Sequence, residues 1–216
     1  MIIYFDLDGT LLRVRARHIK AHQEAALACG GQPLSEGHYW DCVRHGLGSE
    51  KIVLLTEPPL DLERYNAERK KRLEAPDFLA LDTLAEEAGA VLPGLAGAGF
   101  ELVLTTLRRD SETLNAQLNR LGLNPFFKRV LCRGQAEGTW TVKRDLIAAD
   151  LDEHHGPAVM VGDTEGDILA ARANHLSCLC LTTGSRHASL LALYGPSRLI
   201  QSLDELPELL ANRVRI

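Results

Sequence analysis

The sequence predicts an α/β fold, a Rossmann-like parallel sheet core with a helical domain inserted after the first strand. Four runs of consecutive apolar residues, at 2–5, 102–104, 158–161 and 178–181, have the pattern of short strands buried on both faces. Helix-like stretches separate the later runs, and alternating strands and helices favour a parallel sheet with right-handed crossovers. The region between the first two runs contains no such strand pattern.

The remaining core elements follow from residue spacing and from turn residues. Leu114, Leu118 and Leu121 share one face of a predicted helix over 111–121, and Gly122 supplies its stop signal. Other helices and a closing strand are expected at 143–151, 164–174, 198–200 and 203–212.

The segment 83–97 is expected to form a helix that packs on the sheet, yet it contains Pro93 and several glycines. A proline inside a helix costs roughly 3 kcal/mol because it removes a donor and clashes with the preceding turn. The sequence therefore predicts a kink or a break at this point.

The inserted segment has helical patterns punctuated by glycine and proline pairs. Helices are expected at about 18–28, 35–45, 49–56 and 61–74. We therefore divide the chain into an α/β core formed by residues 1–13 and 81–216 and a helical domain formed by residues 14–80.

The composition is that of an ordinary globular protein and gives no sign of a nucleic-acid or membrane partner. A hydrophobic fraction of 45% and a charged fraction of 25% are ordinary for a globular protein. The net charge of −5 gives no general attraction to nucleic acid or to an anionic membrane. No signal peptide or bilayer-spanning run is recognisable, and five cysteines without metal-type spacing favour reduced thiols, so a cytoplasmic protein is expected. The oligomeric state stays open.

Acidic residues follow two of the predicted strands directly. Asp6 and Asp8 come after the first strand and share a face, and Asp163 and Asp167 begin the helix after 158–161. Each pair alone is consistent with a turn or helix cap. Together, at the carboxyl ends of neighbouring parallel strands, four carboxylates would repel one another unless a cation bound them. Mg²⁺ is the cation expected beside phosphates.

The motifs "DLDGTLL" (6–12) and "VGDTEGD" (161–167) resemble those of the haloacid dehalogenase superfamily of aspartate-nucleophile hydrolases. Thr105 in "FELVLTT" and Lys143 in "TWTVKRDLI" extend the resemblance over most of the chain. It implies that Asp6 is the nucleophile, that Asp8 is the general acid/base, that Thr105 binds the phosphoryl group and that Lys143 steadies the nucleophile. The implied Mg²⁺ ligands are Asp6, the Asp8 carbonyl and Asp163, with Asp167 positioning metal-bound water or the lysine.

The implied chemistry suits these residue types. Asp6 would attack phosphorus and form an aspartyl-phosphate, while Asp8 would protonate the leaving oxygen and then activate water. A dehalogenase needs no second acid two residues after its nucleophile, so Asp8 favours phosphate-ester hydrolysis. Two departures weaken inference about the substrate: Arg144 stands where many relatives have proline, and Thr106, a candidate substrate contact, stands where asparagine is frequent.

The inserted segment resembles the helical cap of phosphoglycolate phosphatase-like members, which covers the site and reads the leaving group. Cations just after the first motif and in mid-cap are candidate substrate contacts, with surface charge as the default alternative. These candidates are Arg13, Arg15, Arg17, Arg44 and Lys51. Together they predict a small phosphorylated metabolite that carries a second negative charge.

The same scaffold leaves other functions open. A phosphosugar mutase or a pyrophosphatase would need only a different cap, and a non-catalytic regulatory protein would keep only the fold. Retention of all four acidic residues with Thr105 and Lys143 argues against the non-catalytic alternative.

Overall fold

The computed structural model describes residues 1–134 and 139–211, and its strands and helices alternate as predicted. The strands are β1 (Ile2–Phe5), β2 (Leu12–Arg13), β3 (Thr83–Leu84), β4 (Glu101–Thr106), β5 (Arg129–Cys132), β6 (Ala158–Gly162), β7 (Ser177–Leu181) and β8 (Arg198–Ile200). The helices are α1 (Arg15–Ala28), α2 (Glu36–Arg44), α3 (Ser49–Ile52), α4 (Leu62–Leu73), α5 (Pro76–Leu79), α6 (Ala88–Gly97), α7 (Ser111–Arg120), α8 (Trp140–Glu153), α9 (Glu165–Ala173), α10 (Ala188–Leu193) and α11 (Leu206–Ala211).

The six longer strands form a parallel sheet in the order β5-β4-β1-β6-β7-β8. Strand β1 lies in the middle, where Phe5 pairs in register with Leu104 on one side and with Val161 on the other. The carboxyl ends of β4, β1 and β6 therefore meet at one edge of the sheet. The α/β fold class and its five predicted strands are confirmed.

The sequence analysis missed three strands. The edge strand β5 is only half-buried and begins with a charged residue, Arg129, so it lacks the continuous apolar pattern of the inner strands. Strands β2 and β3 have two residues each and pair antiparallel with one another, which is too short for a periodic signal.

The two faces of the sheet are covered by different apolar layers. Ile3, Phe5 and Leu104 pack on one face with side chains of α6, α7 and α11. Tyr4 and Met160 face the opposite side and pack with side chains of α8 and α9. Alternation of neighbouring residues between two buried layers explains why β1 reads as a continuous apolar run.

Of the kink or break expected at Pro93, the break is not found. Helix α6 begins only at Ala88 and continues through Pro93 to Gly97. Pro93 removes one donor, whose partner would have been the carbonyl of Gly89, and both residues are exposed. Water can hydrate that carbonyl, so the helix tolerates the proline.

Helices α1–α5, called the inserted helices below, have an apolar cluster of their own. It includes Ile19, Tyr39, Val43 and Tyr65. The predicted helices at 18–28, 35–45 and 61–74 correspond to α1, α2 and α4, whereas 49–56 divides into α3 and a 3₁₀ turn. In the part of the chain that the structure describes, no helix combines the length and the apolar character needed to cross a bilayer.

A fully buried histidine, His22, contacts three members of this cluster. Its ring stacks on Tyr39 with centroids 4.2 Å apart. The backbone N–H of Leu34 donates to its Nε2 at 3.0 Å, so Nδ1 carries the proton and donates to the Tyr65 hydroxyl at 2.7 Å. Burial lowers the pKa of His22 from 6.5 to about 4, because a charged ring would lose its hydration and one of these hydrogen bonds.

This pKa predicts that the protein loses stability in mild acid. At about pH 7 His22 is mostly neutral in both the folded and the unfolded state. Below about pH 6.5 His22 becomes protonated in the unfolded chain but stays neutral in the folded protein. At about pH 5 the loss is roughly 2 kcal/mol, and it levels off near pH 4. The free energy of unfolding of wild type and of His22→Gln, measured by urea denaturation, should therefore differ less at about pH 5 than at about pH 7. A difference that does not change between these pH values would contradict the buried neutral ring.

Candidate active site

The sheet brings the predicted acidic residues together at its carboxyl edge. Asp6 follows β1, and Asp163 follows the neighbouring strand β6. Asp167 lies in the first turn of α9, and its side chain is fully buried. Asp6, Asp163 and Asp167 each offer a carboxylate oxygen within 4.8 Å of the others.

Lys143 on α8 joins two of these carboxylates. Its Nζ lies 2.6 Å from Asp6 Oδ1 and 2.5 Å from Asp167 Oδ1. The other oxygen of Asp167 accepts the backbone N–H groups of Asp163 and Thr164 and the Thr164 hydroxyl. Asp167 is thus saturated with hydrogen bonds, and it fixes both the lysine and the start of α9.

Asp163 is held from two directions. The Thr10 hydroxyl donates to its Oδ1 at 2.9 Å, and the backbone N–H of Ser185 donates to its Oδ2 at 2.6 Å. A Cβ at Gly9, where φ is +91°, would lie 2.1 Å from that Oδ2. A Cβ at Gly184 would lie 2.4 Å from the Asp163 side chain. Only glycine fits at these two positions while Asp163 keeps its orientation.

Burial and the neighbouring carboxylates raise the pKa of both Asp6 and Asp163. Burial raises the pKa of Asp6 well above its usual range, with Asp167 and Asp163 adding to the effect and Lys143 opposing it. Burial and Asp167 raise the pKa of Asp163 to about 6. One ammonium does not balance three buried carboxylates, so the cluster has a donor set suited to a hard divalent cation.

The side chain of Asp8 binds arginines and is not part of the cluster formed by Asp6, Asp163 and Asp167. Arg108 binds its carboxylate with two hydrogen bonds, of 2.7 and 2.8 Å, and Arg17 Nη2 lies 2.9 Å from it, outside hydrogen-bonding alignment. Burial alone would raise the pKa of Asp8, but these two guanidinium groups outweigh it and hold the pKa well below its usual range. The metal role expected of Asp8 concerns its backbone carbonyl and not the side chain that the arginines bind.

A buried carboxylate that the sequence analysis missed, Asp82, supports the two arginines. It accepts from Arg17 Nε at 2.9 Å, from Arg108 Nη2 at 3.3 Å and from Gln117 Nε2 at 2.9 Å. Asp82 follows α5 and Arg17 lies in α1, so this network connects the chain at both ends of the inserted helices. No local pattern in the sequence indicates this network, because its four residues lie far apart along the chain.

Both predicted threonines lie at the end of β4. The Thr105 side chain is fully buried, and its hydroxyl has no hydrogen-bond partner among the described residues. Thr106 lines the cavity above the sheet edge, and its hydroxyl accepts from the backbone N–H of Arg108 at 3.4 Å.

A cavity of about 410 Å³ lies between this sheet edge and the inserted helices. Its core side includes Asp6, Asp8, Thr106, Arg108 and Lys143. The inserted helices and their loops contribute Arg17, His18, Leu47, Ser49, Ile52 and Arg69.

The structure does not bring the other predicted cations into this wall. Arg13 pairs with Glu87 at 3.3 Å, and Arg44 donates to the carbonyl of Thr182 at 2.8 Å. Arg15 and Lys51 are exposed. Among the cations proposed from the sequence for the leaving group, Arg17 alone is in the described cavity wall, and carboxylates already occupy it.

Comparisons with known proteins match this chain over most of its length. The family model described as haloacid dehalogenase-like hydrolase matches residues 3–180. A phosphoglycolate phosphatase of Vibrio parahaemolyticus is 28% identical to this chain, over 97% of this chain and 96% of its own length. The phosphoglycolate phosphatase of Vibrio cholerae is 30% identical, over 96% of this chain and 95% of its own length.

Solved structures share the fold at lower identity. A predicted phosphatase from Clostridium acetobutylicum superposes with a TM-score of 0.79 at 21% identity, and the match covers 98% of both chains. A haloacid dehalogenase-like hydrolase from Streptococcus pneumoniae superposes with a TM-score of 0.80 at 21% identity, covering 97% of both.

The donor set predicts that Mg²⁺ stabilises the folded protein. At a concentration about 100-fold above its Kd, the ion should raise the Tm by roughly 5–10 °C. In Asp163→Asn the shift should fall below about 2 °C, because one carboxylate of the cluster is neutralised. Asp145→Asn, the same change at an exposed position of α8, is the matched control for differential scanning calorimetry. An undiminished shift in Asp163→Asn would contradict the site.

Proposed function

Because this chain belongs to the haloacid dehalogenase-like hydrolase family, we propose that it is a Mg²⁺-dependent phosphatase that uses Asp6 as nucleophile on a small phosphorylated metabolite. The chain is a hydrolase of phosphate monoesters, similar to phosphoglycolate phosphatases. The observation that carries the finer proposal is the contact between Lys143 and Asp6, at 2.6 Å beside two further buried carboxylates.

Asp6, Asp163 and the backbone carbonyl of Asp8 are the residues we propose to hold Mg²⁺. Asp163 fits this role by charge and by its proximity to Asp6. Asp167 is already bound to Lys143 and to three hydrogen-bond donors, so its proposed part is to position the lysine or a metal-bound water. When bound, the ion would supply positive charge beside the phosphoryl oxygens, and Lys143 would add its own ammonium.

Asp6 supplies the attacking atom in the proposed reaction. A carboxylate oxygen of Asp6 forms a bond to phosphorus as the bond from phosphorus to the ester oxygen breaks, which leaves an aspartyl-phosphate. Lys143 orients the Asp6 carboxylate through Oδ1 and so leaves Oδ2 for the attack. Thr105, whose buried hydroxyl lacks a partner, and Thr106 in the cavity wall are the proposed phosphoryl contacts.

Asp8 is proposed to protonate the departing oxygen and then to take a proton from the water that attacks the aspartyl-phosphate. To act in this way it must exchange Arg108, which holds both of its oxygens, for the leaving-group oxygen. Arg108 and Arg17 depress the pKa of Asp8, so Asp8 stays deprotonated and has no proton to donate while that contact lasts. Proton transfer therefore requires Arg108 to move.

The inserted helices, within the proposed domain 14–80, are proposed to act as the cap that covers the cavity and selects the leaving group. Their side chains form one wall of the cavity, and the apolar cluster around His22 keeps them folded as a unit. The names of the Vibrio relatives support phosphoglycolate or a similar short phosphorylated acid as the substrate.

The reaction products distinguish a phosphatase from the other functions that the scaffold could have. Release of inorganic phosphate from a monoester supports the phosphatase, formation of an isomeric sugar phosphate would support a mutase, and cleavage of inorganic pyrophosphate would support a pyrophosphatase. Lack of turnover over a panel of phosphorylated metabolites with Mg²⁺ would leave the non-catalytic protein as the explanation.

We expect Asp6→Asn to lose more than roughly 10³-fold in kcat, because an amide cannot replace the carboxylate as nucleophile. Asp152→Asn, the same change at an exposed position of α8, is the matched control. Phosphate release and the Tm of each variant give the test. A folded Asp6→Asn enzyme with near-native turnover would reject Asp6 as nucleophile.

Asp8→Asn should affect esters according to their leaving groups. Ethyl phosphate needs a proton on its leaving oxygen, so its kcat/KM should fall by about 10²–10⁴-fold. p-Nitrophenyl phosphate has a stable leaving group and should lose much less. Equal losses on both esters would argue against acid catalysis by Asp8.

A further inference from the structure

The cations of the cavity wall differ in whether a carboxylate already neutralises them. The wall contains Arg17, Arg69, Arg108, Lys143 and Arg186. Four of them have close acidic partners within the described residues: Arg17 with Asp82, Arg108 with Asp8, Lys143 with Asp6, and Arg186 with Glu165.

Arg69 on α4 is the exception. Among residues 1–134 and 139–211, no carboxylate lies within ion-pair distance of its guanidinium. The nearby acid Glu68 binds Lys71 and Arg72, and Glu74 binds Arg109. Arg69 Nε is buried and has no hydrogen-bond partner in the same part of the chain.

A neutral histidine orients the guanidinium of Arg69, which no carboxylate neutralises among the described residues. Arg69 Nη2 lies 3.5 Å from Nδ1 of His18, whose ring packs edge-on to Trp40. Burial, with Arg17 and Arg69 nearby, holds the pKa of His18 well below its usual value, so the ring is uncharged at neutral pH and Nδ1 can accept. His18 therefore positions Arg69 without cancelling its charge.

We propose that Arg69 binds a carboxylate on the leaving-group part of the substrate. This contact makes the enzyme selective for phosphorylated acids over phosphate esters whose leaving group carries no charge. The proposal rests on the proposed phosphatase function and names its specificity residue. In the proposed function, Asp6, Lys143 and the two threonines of the core contact the phosphoryl group. Arg69 lies in the wall formed by the inserted helices, where the rest of the substrate must lie.

Physical chemistry favours a carboxylate for this position. A guanidinium offers a planar pair of donors that matches the two oxygens of a carboxylate. Binding at Arg17 or Arg108 would compete with the carboxylates of Asp8 and Asp82, whereas binding at Arg69 displaces no ion pair among the described residues. The cavity of about 410 Å³ has room for a small substrate, and both Asp6 and Arg69 line it.

Two esters that differ only in the carboxylate provide the test. Phosphoglycolate and ethyl phosphate both have a two-carbon leaving group, and phosphate release with Mg²⁺ gives kcat/KM for each. The variants are Arg69→Met, which keeps most of the stem, and Arg69→Lys, which keeps the charge without the planar fork. Lys70→Met removes one charge from an exposed neighbour on the same helix and controls for long-range electrostatics.

Arg69→Met should lose roughly 10- to 100-fold in kcat/KM on phosphoglycolate, as expected for a lost charged hydrogen-bonding pair. On ethyl phosphate it should change by less than about threefold, since the chemistry at Asp6 is untouched. Arg69→Lys should show a smaller loss that is again confined to phosphoglycolate, and Lys70→Met should resemble wild type.

Parallel changes on the two esters, or no change, would overturn the proposal while the phosphatase function stands. If Arg69→Met does not fold, the comparison of Arg69→Lys with wild type on the two esters decides the question by the same criterion. A wild-type enzyme that hydrolyses neither ester nor any other phosphate monoester would instead reject the proposed function.

Discussion

The buried contact of Lys143 with Asp6 and Asp167 is the interaction on which the site depends. Three carboxylates without cations could not stay ionised together in such a buried place, because burial and mutual repulsion both favour protonation. The ammonium offsets part of this cost and also fixes which oxygen of Asp6 faces away from the lysine. The remaining negative charge suits the hard cation that we propose for the site.

The order of the strands in the sheet brings these charged residues together. Strand β1 lies between β4 and β6, so residues distant in sequence reach one edge of the sheet. Glycines at 9 and 184 leave space for Asp163, and buried Asp82 fixes the two arginines that hold Asp8. The same arginines connect the core to the inserted helices, so a movement of those helices would reach Asp8 directly.

Sequence reasoning worked where the signal was local. Continuous apolar runs identified the inner strands, and the acidic residues after two of them identified the sheet edge that carries the site. It failed at β5, whose partial burial and Arg129 hide the pattern. The sequence predicts a kink or a break at Pro93, yet the helix does not break there because the exposed position makes the lost hydrogen bond inexpensive. Asp82 and Arg69 were missed because their significance depends on which distant groups do or do not accompany them. Arg13 and Arg44 were chosen for their place in the chain, yet each finds a partner elsewhere.

The central claim is that Asp6 takes the phosphoryl group before water does. The stereochemical course at phosphorus tests it most directly, with an isotopically chiral phosphate ester and an alcohol as acceptor in place of water. Two successive in-line displacements, first by Asp6 and then by the acceptor, predict net retention of configuration. Net inversion would mean that the acceptor attacks the substrate directly, and it would contradict the account of Asp6 as nucleophile.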